Sequence, residues 1–199
     1  MLNETRRALG QRVNKLPVKL LAKTGIHPNV ITIAGLLASF IVAWLLATGH
    51  LFLGGFLVIL SGAFDLLDGA LARSTGRVSK FGSILDSTLD RFSEAALLIG
   101  LMAFYLQNYE TKEHPFQIVL LIGITLVGSI LTSYIRARAE AAGLKCEVGI
   151  FTRPERVVLL SIGLIFSSIY SDMLLIVLWI MAVLSNIIAM QRLYHVRHQ

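Results

Sequence analysis

Charge, proline and cysteine are all scarce in this chain of 199 residues. Only 15% of the residues are Asp, Glu, Lys or Arg, where a soluble domain carries about a quarter. Hydrophobic residues make up 55%, and four prolines are few for the loops of a soluble fold. Together these shortages exclude an ordinary soluble domain and imply a membrane protein. One cysteine, Cys146, excludes an internal disulfide and a multi-cysteine zinc site, and reads as a bystander thiol. Internal repeats, low-complexity tracts and linkers are also missing, so a single membrane domain over residues 1–199 is expected.

What the chain does contain is a series of apolar runs. Six are visible, at about 29–48, 51–71, 81–106, 116–135, 156–169 and 173–193. Each is long enough to cross a bilayer, the fifth only with help from its flanks. The expected fold class is therefore all-α, with six transmembrane helices in residues 27–199. Residues 1–26 do not resemble a signal peptide, because charges interrupt them throughout. Leu9, Val13, Leu16 and Leu20 recur at helical spacing, with Arg6, Arg7, Arg12, Lys15, Lys19 and Lys23 on the other side. That pattern predicts an amphipathic interfacial helix lying on anionic lipid, kinked or divided at Pro17.

The basic residues predict orientation. Besides those six, Arg73, Arg77 and Lys80 fall in the second connection, Arg136, Arg138, Lys145, Arg153 and Arg156 around the fourth, and Arg192 and Arg197 at the C-terminus. Sixteen of eighteen cations thus share one face, and only Lys112 falls on the other, Arg91 being inside a span. The positive-inside rule makes that face, and both termini, cytoplasmic. The net charge of +6 then reflects orientation and lipid attachment, with no nucleic-acid partner implied.

Five acids lie where the bilayer should exclude them: Asp65, Asp68, Asp86, Asp90 and Glu94. A carboxylate in a span costs on the order of several kcal/mol unless it is paired or binds metal. Asp65 and Asp68 are three apart and Asp86 and Asp90 four apart, so each pair shares a helix face. Two such helices facing one another bring four carboxylates together. At about 1.5 Å per residue, Asp65 lies roughly 12 Å before Arg73 and Asp90 roughly 15 Å beyond Lys80, which puts the cluster in the cytoplasmic half. Oxygen donors without His or Cys suit Mg²⁺ or Mn²⁺. Burial as simple ion pairs is disfavoured, because only Arg73 and Arg91 are near enough in sequence to neutralise them. Gly69 and Gly82 leave bare backbone where a bulky group could approach, and serve equally as helix-packing residues.

The pattern Asp65-Leu-Leu-Asp68-Gly69-Ala-Leu-Ala72-Arg73, then eight residues, Gly82, three, Asp86, three and Asp90 resembles the full signature of the CDP-alcohol phosphotransferase family, with all eight fixed positions matched. Such enzymes transfer the phosphoryl group of a CDP-alcohol to an acceptor hydroxyl and release CMP. The resemblance implies that Asp65, Asp68 and Asp86 hold two metal ions, with Asp90 near them as ligand or as general base on the acceptor hydroxyl. Breaking a pyrophosphate needs its leaving group and the attacked phosphorus neutralised, which two cations accomplish. Close like charges raise a carboxylate's proton affinity, which suits base action by Asp90.

By the same resemblance, Arg73 clamps the diphosphate, Gly69 lets the cytidine lie against its helix, and Asn29, Val30, Ile31 and Thr32 of Pro28-Asn29-Val30-Ile31-Thr32 contact the CDP-lipid, with Ser79 as a further contact. Their ordinary roles are helix starts: Pro28 in a first turn, and Asn29 and Ser79 as N-caps. On the acceptor side stand Ser133, Arg136, Arg138, Arg153, Arg156 and Arg192, an arginine-rich rim suited to a phosphate on the acceptor. Thr152 and Glu155 read as a capping box with Pro154 in the first turn. Positive-inside charge alone would also supply these arginines.

Within the family, Asp86-Ser-Thr-Leu-Asp90-Arg91, Glu94 and Ser133-Tyr-Ile-Arg136-Ala-Arg138-Ala-Glu140 are most similar to phosphatidylinositol phosphate synthases. That implies CDP-diacylglycerol and inositol phosphate as substrates, and a homodimer. Phosphatidylglycerophosphate synthases, which use glycerol 3-phosphate, commonly have Asp-Lys where this chain has Asp90-Arg91, and archaeal ether-lipid enzymes would look nearly the same. A divalent-cation transporter would also bury carboxylates, but near the midplane and often with inverted repeats, and none is evident here.

Overall fold

In the computed structural model, residues 15–146 and 148–199 are described, the side chains of residues 15–17, 19 and 65 excepted. These residues form seven helices with no strand among them: α1 (Lys15–Lys23), α2 (Pro28–Ala47), α3 (Leu51–Ser74), α4 (Lys80–Gln107), α5 (Pro115–Ala141), α6 (Arg153–Phe166) and α7 (Met173–Arg197). The protein is an all-α, multi-pass membrane protein. Helices α2, α3, α5 and α7 are long and apolar enough to cross a bilayer. Helix α4, with 28 residues, has the length but carries Asp86, Asp90, Arg91 and Glu94. Helix α6 has 14 residues, which at 1.5 Å each gives about 21 Å, short of a hydrocarbon core of about 30 Å.

The helices begin close to where the apolar runs begin, but several continue past their ends. Helix α5 extends to Ala141 and α7 to Arg197, because hydrogen bonding carries a helix into water after its apolar face has ended. The expected interfacial helix lies mostly outside the described residues. What is described of it is α1, and the expected kink or division at Pro17 lies at the edge of the described residues.

Lipid-facing surfaces are rich in large apolar side chains such as Trp44, Phe116, Ile124 and Trp179. The interior combines Leu46, Leu98, Leu101, Ile122, Leu164 and Leu178, all fully buried, with Ser, Thr and small residues at the crossings. This is the membrane pattern, in which close backbone approach and interhelical hydrogen bonds replace the hydrophobic drive that water would supply. At the α2–α4 crossing a Cβ on Gly100 would lie 2.2 Å from the Ala43 carbonyl oxygen. Between α3 and α6, the Ser161 hydroxyl donates to the Gly55 carbonyl at 2.7 Å. Between α5 and α7, the Thr132 hydroxyl lies 3.1 Å from the Ser185 carbonyl oxygen, and Gly128 faces Ser185 and Asn186. Two helix groups result: α2, α3 and α4 around one cavity, and α5, α6 and α7 beside it, joined through α3–α6 and α4–α5.

Candidate active site

The cavity, about 300 Å³, is bounded by the starts of α2 and α4, the end of α3 and the turn joining α3 to α4. Its wall includes Pro28, Asn29 and Thr32 from α2, Asp68, Gly69 and Arg73 from α3, and Ser79, Gly82 and Asp86 from the start of α4. Residues as far apart in sequence as Pro28 and Asp86 thus share one space. The α2 wall follows from helical periodicity: Asn29 and Thr32, three apart, share a face. Val30 and Ile31 point elsewhere, Val30 exposed and Ile31 packed inside, and neither lines the cavity.

Local capping sets these walls. His27, not Asn29, caps α2, its Nδ1 accepting from the Asn29 amide at 3.3 Å. Asn29 is thereby released from the capping role its residue type suggests, and its Oδ1 lies where a Cβ on Gly82 would come within 3.3 Å. Ser79 does cap α4, its hydroxyl accepting from the Gly82 amide at 2.9 Å. The same Cβ on Gly82 would sit 3.0 Å from the Ser79 hydroxyl, and one on Gly69 3.4 Å from the Arg73 guanidinium. Both glycines keep the floor open for a bulky group. Arg77 and Val78 also line the space, and Arg77 donates to the Gly25 carbonyl at 3.0 Å, tying the α3–α4 turn to the entrance of α2. Sequence reasoning missed both, because a lone arginine in a basic loop carries no signal beyond orientation.

Asp68 is 3% exposed and shares the cavity with Asp86. Asp90 follows Asp86 by one turn of α4, about 6 Å along the axis, and turns toward α6, where it accepts from Arg153. Asp65 is on α3 one turn before Asp68, but its carboxylate lies outside the described residues. Among the described residues no three His, Cys, Asp or Glu side chains converge on one metal position. The donor chemistry nonetheless fits a hard divalent cation, since Asp68 and Asp86 open on a shared, polar-walled space with only oxygen donors among the acids.

The arginine rim divides three ways. Arg153 is partly buried and reaches Asp90. Its helix starts with the expected capping box, the Thr152 amide donating to Glu155 at 2.8 Å. Arg136 and Arg138 are exposed on the last turns of α5, Arg136 paired with Glu140 at 2.8 Å, and Ser133 is partly buried above them. Arg156 and Arg192 are interior groups, 3% and 4% exposed. Arg192 donates to the Val148 carbonyl at 2.9 Å and the Thr132 carbonyl at 2.8 Å, fastening the α5–α6 loop to α5 and α7. Arg156 meets Glu94 through two bonds, Nε to Oε1 at 2.6 Å and Nη2 to Oε2 at 2.8 Å. A rim exposed to an acceptor phosphate is therefore too broad a description: Arg156 is spent inside the protein, because leaving an arginine or Glu94 buried without a partner would be costly. Asp90 and Glu94 thus have partners, Arg153 and Arg156, that come from more than sixty residues away in sequence.

These features define a membrane-embedded transferase with a nucleotide-sized cavity beside buried carboxylates. The chain belongs to the CDP-alcohol phosphatidyltransferase family, whose model matches residues 25–189. The resemblance carried by the aspartate motif is borne out. Two relatives are the phosphatidylinositol phosphate synthase of Mycobacteroides abscessus, 37% identical over 97% of this chain and 87% of that protein, and the archaetidylinositol phosphate synthase of Pyrococcus horikoshii, 35% identical over 99% and 97%. Among solved structures, the phosphatidylinositol phosphate synthase of Mycobacterium tuberculosis with CDP-DAG bound superposes with a TM-score of 0.83, at 37% identity, over 93% of this chain and 94% of that one. The same enzyme in complex with manganese and citrate also gives 0.83, at 36% identity, over 92% and 88%.

Proposed function

We propose that this protein transfers the phosphatidyl group of CDP-diacylglycerol to a hydroxyl of inositol phosphate, giving phosphatidylinositol phosphate and CMP. The observation that carries this reading is the cavity that gathers Asn29 and Thr32, Gly69 and Arg73, and Ser79 and Gly82 against Asp68 and Asp86. A guanidinium and two bare glycine backbones beside carboxylates suit a nucleoside diphosphate. The acceptor follows from likeness to the named synthases and from Arg153, a cation placed on the far side of Asp90, where a phosphorylated acceptor would arrive.

In this reading the acceptor hydroxyl attacks the phosphorus that bears the diacylglycerol. Asp90 takes the hydroxyl proton, the bond from that phosphorus to the bridging oxygen breaks, and its electrons leave with CMP. Arg73 holds the diphosphate in line. Arg153 gives up part of its hold on Asp90 as it takes the acceptor phosphate, so acceptor arrival and exposure of the base coincide. Asp65, Asp68, Asp86 and Asp90 would hold two Mg²⁺ or Mn²⁺ ions, which when bound neutralise the diphosphate and its leaving group.

The same reading has six spans, with α4 and α6 completing the bundle, and both termini cytoplasmic, residues 1–199 forming one domain that acts as a homodimer. The archaeal relative keeps one second reading open, a CDP-activated ether lipid with the same acceptor. The test is product formation by membranes containing the protein, given Mg²⁺ or Mn²⁺, with CDP-diacylglycerol or its ether analogue. Phosphatidylinositol phosphate should form from inositol phosphate, and turnover confined to the ether lipid would select the second reading.

A further inference from the structure

Glu94 is a buried acid that the chemistry above does not use. It lies one turn beyond Asp90 on α4, is 5% exposed, and accepts two bonds from Arg156 of α6. Ser129 of α5 completes the group: its hydroxyl donates to Glu94 at 2.8 Å and accepts from Arg156 at 2.9 Å. The remaining Arg156 nitrogen, Nη1, donates to the Phe151 carbonyl at 3.4 Å, in the loop leading into α6. Three helices and the α6 approach thus meet at one ion pair.

The backbones of α4 and α6 share little direct contact. The space between them is bridged by two rungs, Asp90 with Arg153 and, one turn deeper, Glu94 with Arg156. The spacing of four on α4 and three on α6 matches one helical turn on each, so the lower rung sets the register of the upper. We infer that Glu94, Arg156 and Ser129 act as a positioning group that fixes the width and register of the α4–α6 cleft, holding Arg153 and the capped start of α6 over Asp90 for the phosphorylated acceptor. This rests on the reading that the acceptor enters between α4 and α6. A planar guanidinium forked onto a carboxylate fixes both distance and orientation, which a lysine does not. The effect should be selective, because no residue of α5, α6 or α7 lines the nucleotide cavity.

The experiment compares the full-length protein with Arg156→Lys, with Glu94→Gln and Arg156→Met singly and together, and with Arg153→Ala, measuring KM for acceptor and CDP-lipid, kcat and the thermal unfolding midpoint. Each neutralised single variant strands a buried charge and should unfold early. The double variant strands none and should regain most of the wild-type midpoint. Arg156→Lys keeps the charge balance, so it reports even if the others do not accumulate. In Arg156→Lys and in the double variant the acceptor KM should be at least tenfold raised while the CDP-lipid KM stays within twofold. Recovery of the acceptor KM together with stability, or equal rises in both KM values, would overturn the positioning role. Should Arg153→Ala leave the acceptor KM unchanged, the acceptor entry itself falls, and the positioning role with it. A rise for Arg153→Ala alone would sink the positioning role and leave the acceptor entry standing.

Discussion

Replacing Asp90 by Asn separates the base from the nucleotide site. The amide keeps the size of the side chain and can still accept from Arg153, so the α4–α6 bridge survives in weakened form. What is lost is the ability to take the acceptor proton. General-base action contributes about 10²- to 10⁴-fold to rate, or about 3–5 kcal/mol at 1.36 kcal/mol per decade, and kcat should fall by that factor. Asp90 lies outside the lining of the nucleotide cavity, and the amide oxygen of Asn can still serve a metal held by Asp65, Asp68 and Asp86, so at saturating Mg²⁺ the CDP-lipid KM should remain within about twofold. The acceptor KM should not rise, because Arg153 no longer divides its charge between a carboxylate and the acceptor phosphate. Initial rates of CMP release, with each substrate varied in turn, resolve the three quantities. A kcat within tenfold of wild type would refute the base assignment, and a large rise in the CDP-lipid KM would make Asp90 part of the nucleotide site.

Three further outcomes follow from the same geometry. Arg153→Ala removes a charge-assisted contact of about 1.5–3 kcal/mol and should raise the acceptor KM roughly ten- to a hundredfold while sparing the CDP-lipid KM. Equal effects on both would contradict it. Gly100→Ala places a Cβ 2.2 Å from the Ala43 carbonyl oxygen, which α2 and α4 can relieve only by moving apart; overpacking of about 1–3 kcal/mol should lower the unfolding midpoint, and an unchanged midpoint would show that the crossing is looser than described. Chelating divalent ions should abolish turnover, with Mg²⁺ or Mn²⁺ restoring it, and activity persisting in chelator would exclude the metal role of Asp65, Asp68 and Asp86.

Periodicity and polarity disclosed most of the fold. The apolar runs locate six of the seven helices among the described residues, α2 to α7, with starts at α2, α3, α4, α5 and α7 correct to one residue, since the bilayer forces long uninterrupted helices. Polar helix ends such as Arg136–Ala141 escaped notice, because nothing in composition separates a helix leaving the membrane from a loop. The aspartate motif identified the family, and helical geometry explains why Asn29 and Thr32 reach the cavity and Val30 and Ile31 do not. His27 as the cap of α2 could not be foreseen, for Asn29 is the stronger capping residue. Nor could the pairing of Glu94 with Arg156: it joins groups 62 positions apart, and a single sequence offers no means of matching one buried charge to its distant partner. Arg156, read as part of a phosphate-binding rim, belongs instead to the interior, and only the folded chain distinguishes it from Arg153 three residues earlier.

The most direct test of the central claim is the acceptor assay. Membranes containing the protein, supplied with Mg²⁺ or Mn²⁺, CDP-diacylglycerol and either labelled inositol phosphate or labelled glycerol 3-phosphate, should form labelled phospholipid and CMP with inositol phosphate and little with glycerol 3-phosphate. Product from glycerol 3-phosphate alone would contradict the proposed acceptor and leave the transferase chemistry in place.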